Sequence, residues 1–527
     1  MKNWRFILAG FLLGIGLAGG ALLLWRGARR EDTQRALSAA QGKQLLENVM
    51  RRIQRSWVDS LSPDEIYRKT ALGLIESLGD PNTQYLSADR IKRLRETTTG
   101  TYSGVGMSLD SRDGWLTVTH VRVGTPAERA GIAIGDRLVE VDGKSMHGWT
   151  PAEARESLRG APGTKLALSI QRGAATAKIP LKLERDEIHV SAVTRASVLN
   201  SVGYFLVSTF NDSTARDVEH TVDSLVNAGA HGLVIDLRGN PGGLLAQGVE
   251  MADLFLDKGA KIASTRGRMN GANVEYLDKS GQRWPGRPIV VLVNGNTASA
   301  AEVFAGALQD HDRALVMGRQ TYGKGSAQTV LQLEDGGALK LTSARWFTPL
   351  GRSLERPHKV STDDGDDTVR VTYTTKAGRV LTGGGGIRPD MAAGDSALSQ
   401  PERAWVRAIG VKVAAFRVAL TVAAEQIQRS QKIRDPLFGV DAGMRDILFQ
   451  AMRAHDVFVQ RATYDDVRES IDRVLGMELA RIAFGIPGAQ QRAVRTDGVV
   501  AQAVALLQGV ETAEALFKRV PAAKPAH

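Results

Sequence analysis

Two stretches of this 527-residue chain carry residues whose types and spacing could do chemistry. In Ile289-Val-Val-Leu-Val-Asn-Gly-Asn-Thr-Ala-Ser299-Ala300-Ala-Glu302, an apolar strand gives way to a polar turn and then to a helix. Ser299 therefore falls near a helix N-terminus, where unpaired N–H groups and the helix dipole favour negative charge. A serine so placed is either a helix cap or a nucleophile. The second stretch is Val316-Met-Gly-Arg-Gln-Thr-Tyr-Gly-Lys324-Gly-Ser-Ala-Gln328. Read as a strand, its period of two puts Lys324, Ser326 and Gln328 on one face. Gly323 and Gly325 allow other groups to approach the lysine closely. In an apolar site the ammonium is disfavoured and the lysine pKa falls. A neutral lysine can then take a serine's proton and start acyl transfer. Gln328 is expected to hydrogen-bond Lys324 and hold its aim.

The elements that must position these residues follow from the pattern around them. Residues 187–395 alternate strands and helices, the signature of an α/β core. Leu233–Leu237 and Ile289–Val293 are short apolar runs of the kind that form strands buried on both faces. Residues 99–186 instead show short alternating runs between glycine-rich turns, a small β domain. It opens with Tyr102-Ser103-Gly104-Val105-Gly106 and continues with Gly124-Thr-Pro-Ala-Glu-Arg-Ala-Gly131 and Ile134-Gly-Asp-Arg-Leu-Val-Glu-Val-Asp-Gly143. These motifs resemble a bacterial PDZ domain. Its glycine-rich loop offers backbone N–H groups to a peptide's terminal carboxylate, and the peptide adds as a strand to an open sheet edge. Gly104 and Gly106 let that backbone come close.

Taken together, the chain resembles the carboxyl-terminal processing (tail-specific) proteases from about residue 43 to residue 391. Lys324 follows Ser299 by 25 residues, the spacing of the family's nucleophile and lysine. Gln328 matches the glutamine that completes the family's triad. Asp236-Leu-Arg-Gly-Asn-Pro-Gly242-Gly243-Leu matches the stretch whose amides form an oxyanion hole together with the residue after the serine, here Ala300. Gly242 takes that role, with Gly243 as the neighbouring alternative. Leu78-Gly-Asp-Pro-Asn-Thr-Gln-Tyr-Leu86, Trp346-Phe-Thr-Pro-Leu-Gly-Arg-Ser and Gly386-Ile-Arg-Pro-Asp390 also match. Two departures stand out. The serine-rich run around the family's nucleophile is reduced to Ser299 alone, and Gly239 replaces a common asparagine. The resemblance implies a ClpP/crotonase-like protease core, a Ser–Lys endopeptidase without cofactor or metal, and protein substrates engaged near their C-termini. It also implies a PDZ domain that presents or gates the tail, with an adaptor protein as a partner to look for. The location it implies is the envelope side of a bacterial inner membrane, anchored or periplasmic, or an equivalent lumen. A catalytically silent PDZ scaffold is the competing class, and the retained Ser299, Lys324 and Gln328 argue against it.

The remaining segments frame this core. Residues 6–25 carry no charge and are long enough to cross a bilayer. A cleaved signal peptide and an uncleaved anchor compete, and the apolar run beyond Ala18 favours the anchor within 1–30. Residues 31–98 read as helical, with Leu45, Val49, Ile53 and Trp57 on one face. Residues 396–527 turn helical again. One stripe runs through Trp405, Ile409, Val413, Phe416 and Leu420, another through Val467, Ile471, Leu475 and Leu479. Such stripes are core or an oligomer interface, so a homo-oligomer through these helices is entertained. The tail from Val520 is expected to be disordered.

Several function classes are excluded. The chain has no cysteine, so disulfides, thiolate metal sites and a cysteine nucleophile are absent. Net charge is +11, but the basic residues are scattered and no basic run is interleaved with aromatics, so nucleic acid is not a partner. Gly318–Lys324 looks like the start of a phosphate loop, yet Gly325 stands where Ser or Thr must hold Mg²⁺. The nine histidines show no zinc-ligand spacing. His231 or His311 with Asp236 leaves a Ser–His–Asp arrangement as a lesser alternative.

Overall fold

A computed structural model describes residues 38–112, 114–173, 175–356, 371–394, 398–431 and 433–519. The apolar stretch 6–25 and the tail 520–527 lie outside the described residues. Among those described, no helix is long and apolar enough to cross a membrane. Two compact units divide the chain, one ending at Tyr85 and one beginning at Leu86.

The first unit contains helices α1 (Ala39–Ser56) and α2 (Pro63–Ser77), each opened by a reciprocal cap: Ser38 with Gln41 and Ser62 with Glu65. Leu45, Val49 and Ile53 lie along α1 at the expected spacing, and Trp57 is the first residue past its end. The stripe stays exposed, and Met50 is the residue that α1 buries.

In the second unit, helix α3 (Ala88–Thr99) leads into strand β1 (Thr101–Gly104), which pairs antiparallel with Asp186–His189. Between them a six-stranded antiparallel sheet runs through residues 107–184. Helix α4 (Pro151–Leu158) packs on it through Ala154 and Leu158, closing a core with Val105, Leu116, Val118, Leu138 and Leu168.

The larger core is built on a second six-stranded sheet. Its order is β2 (Val193–Leu199), β3 (Val202–Val207), β4 (Gly232–Asp236), β5 (Ile289–Val293), β6 (Leu315–Gly318) and β9 (Met391–Ala392). The first pair is antiparallel and the rest are parallel. Every residue of β4, β5 and β6 is buried, because helices cover both faces. On one face, Leu233, Ile235, Val291 and Val293 meet helices α5 (Thr214–Asn227), α6 (Leu245–Asp253) and α7 (Ala300–Asp310). Each such side chain contributes about 1.5–3 kcal/mol relative to remaining exposed. Strands β7 (Ser326–Gln332) and β8 (Ala338–Phe347) form an antiparallel pair in a separate sheet.

Residues 398–519 serve two cores. Helices α8 (Val413–Ser430), α9 (Ala442–Ala454) and α10 (Arg468–Arg495) form a bundle around Ala423, Ile427, Leu448, Met452, Ile471 and Leu475. Both stripes read from the sequence belong to it. Val467, Ile471, Leu475 and Leu479 are buried, Ile409 is buried, and Trp405, Phe416 and Leu420 pack against the cluster. Only Val413 stays largely exposed. The stripes face one another within one chain, which removes the ground for an oligomer through them. Helix α10 then kinks at Gly485, with φ 69°, next to Pro487. Beyond the kink, Val494, helix α11 (Gly498–Leu507) and helix α12 (Ala513–Lys518) cover the other face of the large sheet. There Val500, Val504, Leu507 and Leu516 meet Val234, Val290, Leu292 and Met317.

Candidate active site

Ser299 sits on a sharp turn between β5 and α7. Its backbone adopts φ 56° and ψ −120°, a region that residues with a Cβ rarely occupy. The turn is over-determined. Thr297 Oγ1 donates to Leu237 O at 2.8 Å, Ala298 N donates to Asn240 O at 2.9 Å, and Tyr322 N donates to Thr297 O at 2.9 Å. Ala300 begins the helix, so its N–H has no partner within α7.

Glu302, fully buried, ties this turn to the lysine loop. Its Oε2 accepts from Ser299 N and from Lys324 N, each at 2.9 Å. Its Oε1 accepts from Gly323 N at 2.8 Å and from Thr321 Oγ1 at 2.5 Å. All four contacts are donors, which is the environment of an ionised carboxylate. Burial pushes its pKa up against the pull of those donors. Sequence reading missed this role, although Ser-x-x-Glu at a helix start is a known capping pattern that marks the residue.

The glycines around Lys324 have a specific cause. A Cβ on Gly323 would lie 2.9 Å from Gly385 C and 3.0 Å from Leu354 O. A Cβ on Gly325 would lie 2.7 Å from Glu355 N. The lysine backbone is thus clamped between other backbone segments, and Trp346 Nε1 donates to Lys324 O at 3.0 Å. The Gln328 amide donates to Ser326 Oγ at 3.0 Å and to Thr342 Oγ1 at 3.2 Å. Ser326 and Gln328 thus share a strand face, and the register shift opposite them places the extra residue, Ser343, on β8.

Gly242 forms the wall beside Ser299. With φ 91°, it occupies a place where a Cβ would lie 2.7 Å from Ser299 Cβ and 2.9 Å from Ala300 N. Its N–H donates to Asn240 Oδ1 at 2.8 Å. Gly243 is pressed against Phe210, whose carbonyl oxygen would lie 2.0 Å from a Cβ there. His231 contacts Leu507 O at 3.0 Å and His311 contacts Lys261 O at 2.7 Å. Asp236 receives Arg238 and Tyr204. Among the described residues, neither histidine is paired with Asp236.

A groove of about 270 Å³ lies between β1 and α4, lined by Tyr102, Gly104, Val105, Gly106, Leu158 and Arg159. Ser103 lines a neighbouring cavity of about 530 Å³ instead, together with Thr101 and Tyr102. Gly106 has φ 87° and lies so close to Thr125 that a Cβ would come within 2.3 Å of that residue's Cβ.

The profile described as Peptidase family S41 matches residues 201–364, and a PDZ domain profile matches 117–172. These define a PDZ-bearing serine-type peptidase. The carboxy-terminal processing protease CtpA of Bacillus subtilis is 35% identical over 311 residues, covering 59% of this chain and 66% of that one. A carboxy-terminal-processing protease of Bartonella bacilliformis is 34% identical over 351 residues, covering 66% of this chain and 79% of that one. The solved photosystem II D1 C-terminal processing protease is 28% identical and covers 60% of this chain and 91% of its own, with a TM-score of 0.34. This chain belongs to the carboxy-terminal processing proteases of family S41.

Proposed function

We propose that the chain hydrolyses protein substrates near their C-termini through a Ser299–Lys324 dyad. The observation that carries this reading is the shared Glu302 oxygen, which draws the backbones of Ser299 and Lys324 onto one acceptor. Lys324, neutral, takes the Ser299 hydroxyl proton as Oγ attacks the scissile carbonyl. The tetrahedral oxyanion receives the Ala300 N–H and a glycine N–H from the 242–243 pair. Gly242 is the nearer wall, and it serves by sharing the N–H that Asn240 Oδ1 holds. Lys324 returns the proton to the leaving amine, and water then releases the acyl group. Gln328 supports the site through the Ser326 and Thr342 hydroxyls. No metal or cofactor enters these steps.

In this reading the groove lined by Gly104, Val105 and Gly106 receives the substrate's terminal carboxylate and presents or gates the tail. Residues 6–25 anchor the protein to the bacterial inner membrane, with the catalytic part on the envelope side. Resistance of the membrane-bound protein to alkaline extraction would support the anchor, and release would refute it.

The test of the chemistry is cleavage of an unstructured protein with an apolar C-terminal tail by residues 31–527. Wild type, Ser299→Ala and Lys324→Ala are run together. Cleavage by wild type alone supports the dyad, and equal cleavage by all three overturns it.

A further inference from the structure

The loop that carries Gly242 is held at its base by an arginine with two carboxylate partners, one of which comes from far along the chain. Arg238 lies two residues past the end of β4. Its backbone N donates to Asp236 Oδ1 at 3.0 Å, its Nε to the same oxygen at 2.9 Å, and its Nη2 to Asp236 Oδ2 at 2.6 Å. Asp236 is 1% exposed and also accepts from Tyr204 Oη at 3.0 Å. The outer edge of the guanidinium meets Asp497, with Nη2 at 2.8 Å from Oδ2 and Nη1 at 3.4 Å from Oδ1. Asp497 is the N-cap of α11, where its Oδ1 accepts from Val499 N at 2.9 Å and Val500 N at 3.1 Å. Oδ1 thus carries the helix cap along with the long contact to Nη1, and Oδ2 makes the short bond to Arg238.

The loop beyond Arg238 is tied to the turn that carries Ser299. Gly239 N donates to Asn294 Oδ1 at 3.0 Å, and Asn240 O accepts from Ala298 N. Any drift of Arg238 is passed to Gly242 and to Ser299. A drift is what the surroundings favour once Asp497 is lost. Arg238 lines a cavity of about 580 Å³ together with Arg319 and Arg356, and no carboxylate is among the lining residues. Without Asp497 the outer edge of Arg238 faces two other guanidinium groups across that space.

We infer that Asp497, in the C-terminal helical region, is a positioning residue for catalysis. It sets the oxyanion loop through Arg238. This rests on the proposed role of Ser299 and the 242–243 glycines, and it places part of the catalytic geometry outside the span matched by the family S41 profile. Truncation before Asp497 is no test, since α11 and α12 cover a face of the large sheet.

Two point variants separate the two oxygens. Asp497→Asn keeps a good helix cap. It turns the Arg238 contact into an N–H group facing an N–H group. Asp497→Glu keeps the charge for Arg238 but is a poorer cap. The kcat, KM and Tm of both are measured against wild type on an unstructured protein tail, with residues 31–527. The inference expects Asp497→Asn to lose about 10- to 100-fold in kcat, the scale of a catalytic group displaced by an ångström or less. Its KM stays near wild type, and its Tm falls only by the loss of one partly exposed ion pair. Asp497→Glu recovers much of the kcat while melting lower than Asp497→Asn. The order of kcat then runs opposite to the order of Tm. If kcat follows Tm, or if Asp497→Asn keeps wild-type kcat, the inference falls. Ser299→Ala reports separately on the underlying chemistry: if it cleaves as well as wild type, the dyad itself is refuted.

Discussion

The backbone N–H groups of Ser299 and Lys324 donate to one and the same carboxylate oxygen, Glu302 Oε2, each at 2.9 Å. Two residues separated by a helix and a strand are thereby registered to within one acceptor's reach. A Glu302→Gln variant cannot reproduce this. One orientation of the amide turns its NH₂ toward Ser299 N and Lys324 N, and the other turns it toward Gly323 N. Each buried N–H left without an acceptor costs about 1–3 kcal/mol. Glu302→Gln should therefore lower Tm and reduce kcat by about 100-fold or more. Steady-state kinetics with thermal melting checks this, and a fully active variant would refute the registering role.

Gly242→Ala should abolish cleavage more severely than it destabilises the fold. The added Cβ would meet Ser299 Cβ at 2.7 Å and Ala298 O at 2.6 Å, at a φ of 91°. Strain of this kind costs about 1–3 kcal/mol, while displacement of Ser299 acts directly on the rate. Peptide binding to the PDZ groove, measured by calorimetry, should be unchanged. Retention of wild-type kcat would contradict the wall assignment.

The ion pair of Arg352 with Asp310 is fully buried on both sides, at 2.5 Å. It joins the end of α7 to the loop before the second clamp of Lys324. Removing one partner of a buried pair leaves an uncompensated charge and costs about 3–5 kcal/mol. Asp310→Ala should lose stability of that order in denaturant unfolding. A loss below about 1 kcal/mol, the scale of an exposed pair, would mean that the pair is more hydrated than its surroundings indicate.

The Asp497 carboxyl is held below the usual carboxylate range: burial pushes it up, but the Arg238 guanidinium and the capped N–H groups of Val499 and Val500 together outweigh burial. A depressed folded-state pKa contributes stability above the unfolded value, near pH 4 for an aspartate. That contribution is lost as pH falls through the folded value. The Tm gap between wild type and Asp497→Asn should be constant through neutral pH and shrink in acid below about pH 4. A gap that grows in acid would refute the pairing with Arg238.

Much of this protein was legible in local pattern. The apolar run 289–293 followed by a polar turn announced a strand entering a helix, and β5 and α7 occupy those positions. The glycine motifs between 102 and 143 announced a small β domain, because positive φ and close backbone approach demand glycine wherever they occur. The stripes after residue 396 announced helices with one apolar face.

Contacts between distant segments left no such trace. Glu302 reads locally as a helix-cap partner, and only folding brings Gly323 and Lys324 to its other lone pairs. Gln328 shares a face with Ser326, as simple alternation has it, but its contact with Thr342 on the facing strand left no local trace. The stripes could not say which core they entered. The tertiary structure put most of them into a separate bundle, then kinked α10 so that α11 covered the large sheet. Sequence by itself determined which residues could do chemistry, since residue type and periodicity are local properties. The tertiary structure alone decided that Glu302 and Asp497 hold those residues in place, since a carboxylate finds distant donors only when burial has brought them within hydrogen-bond reach.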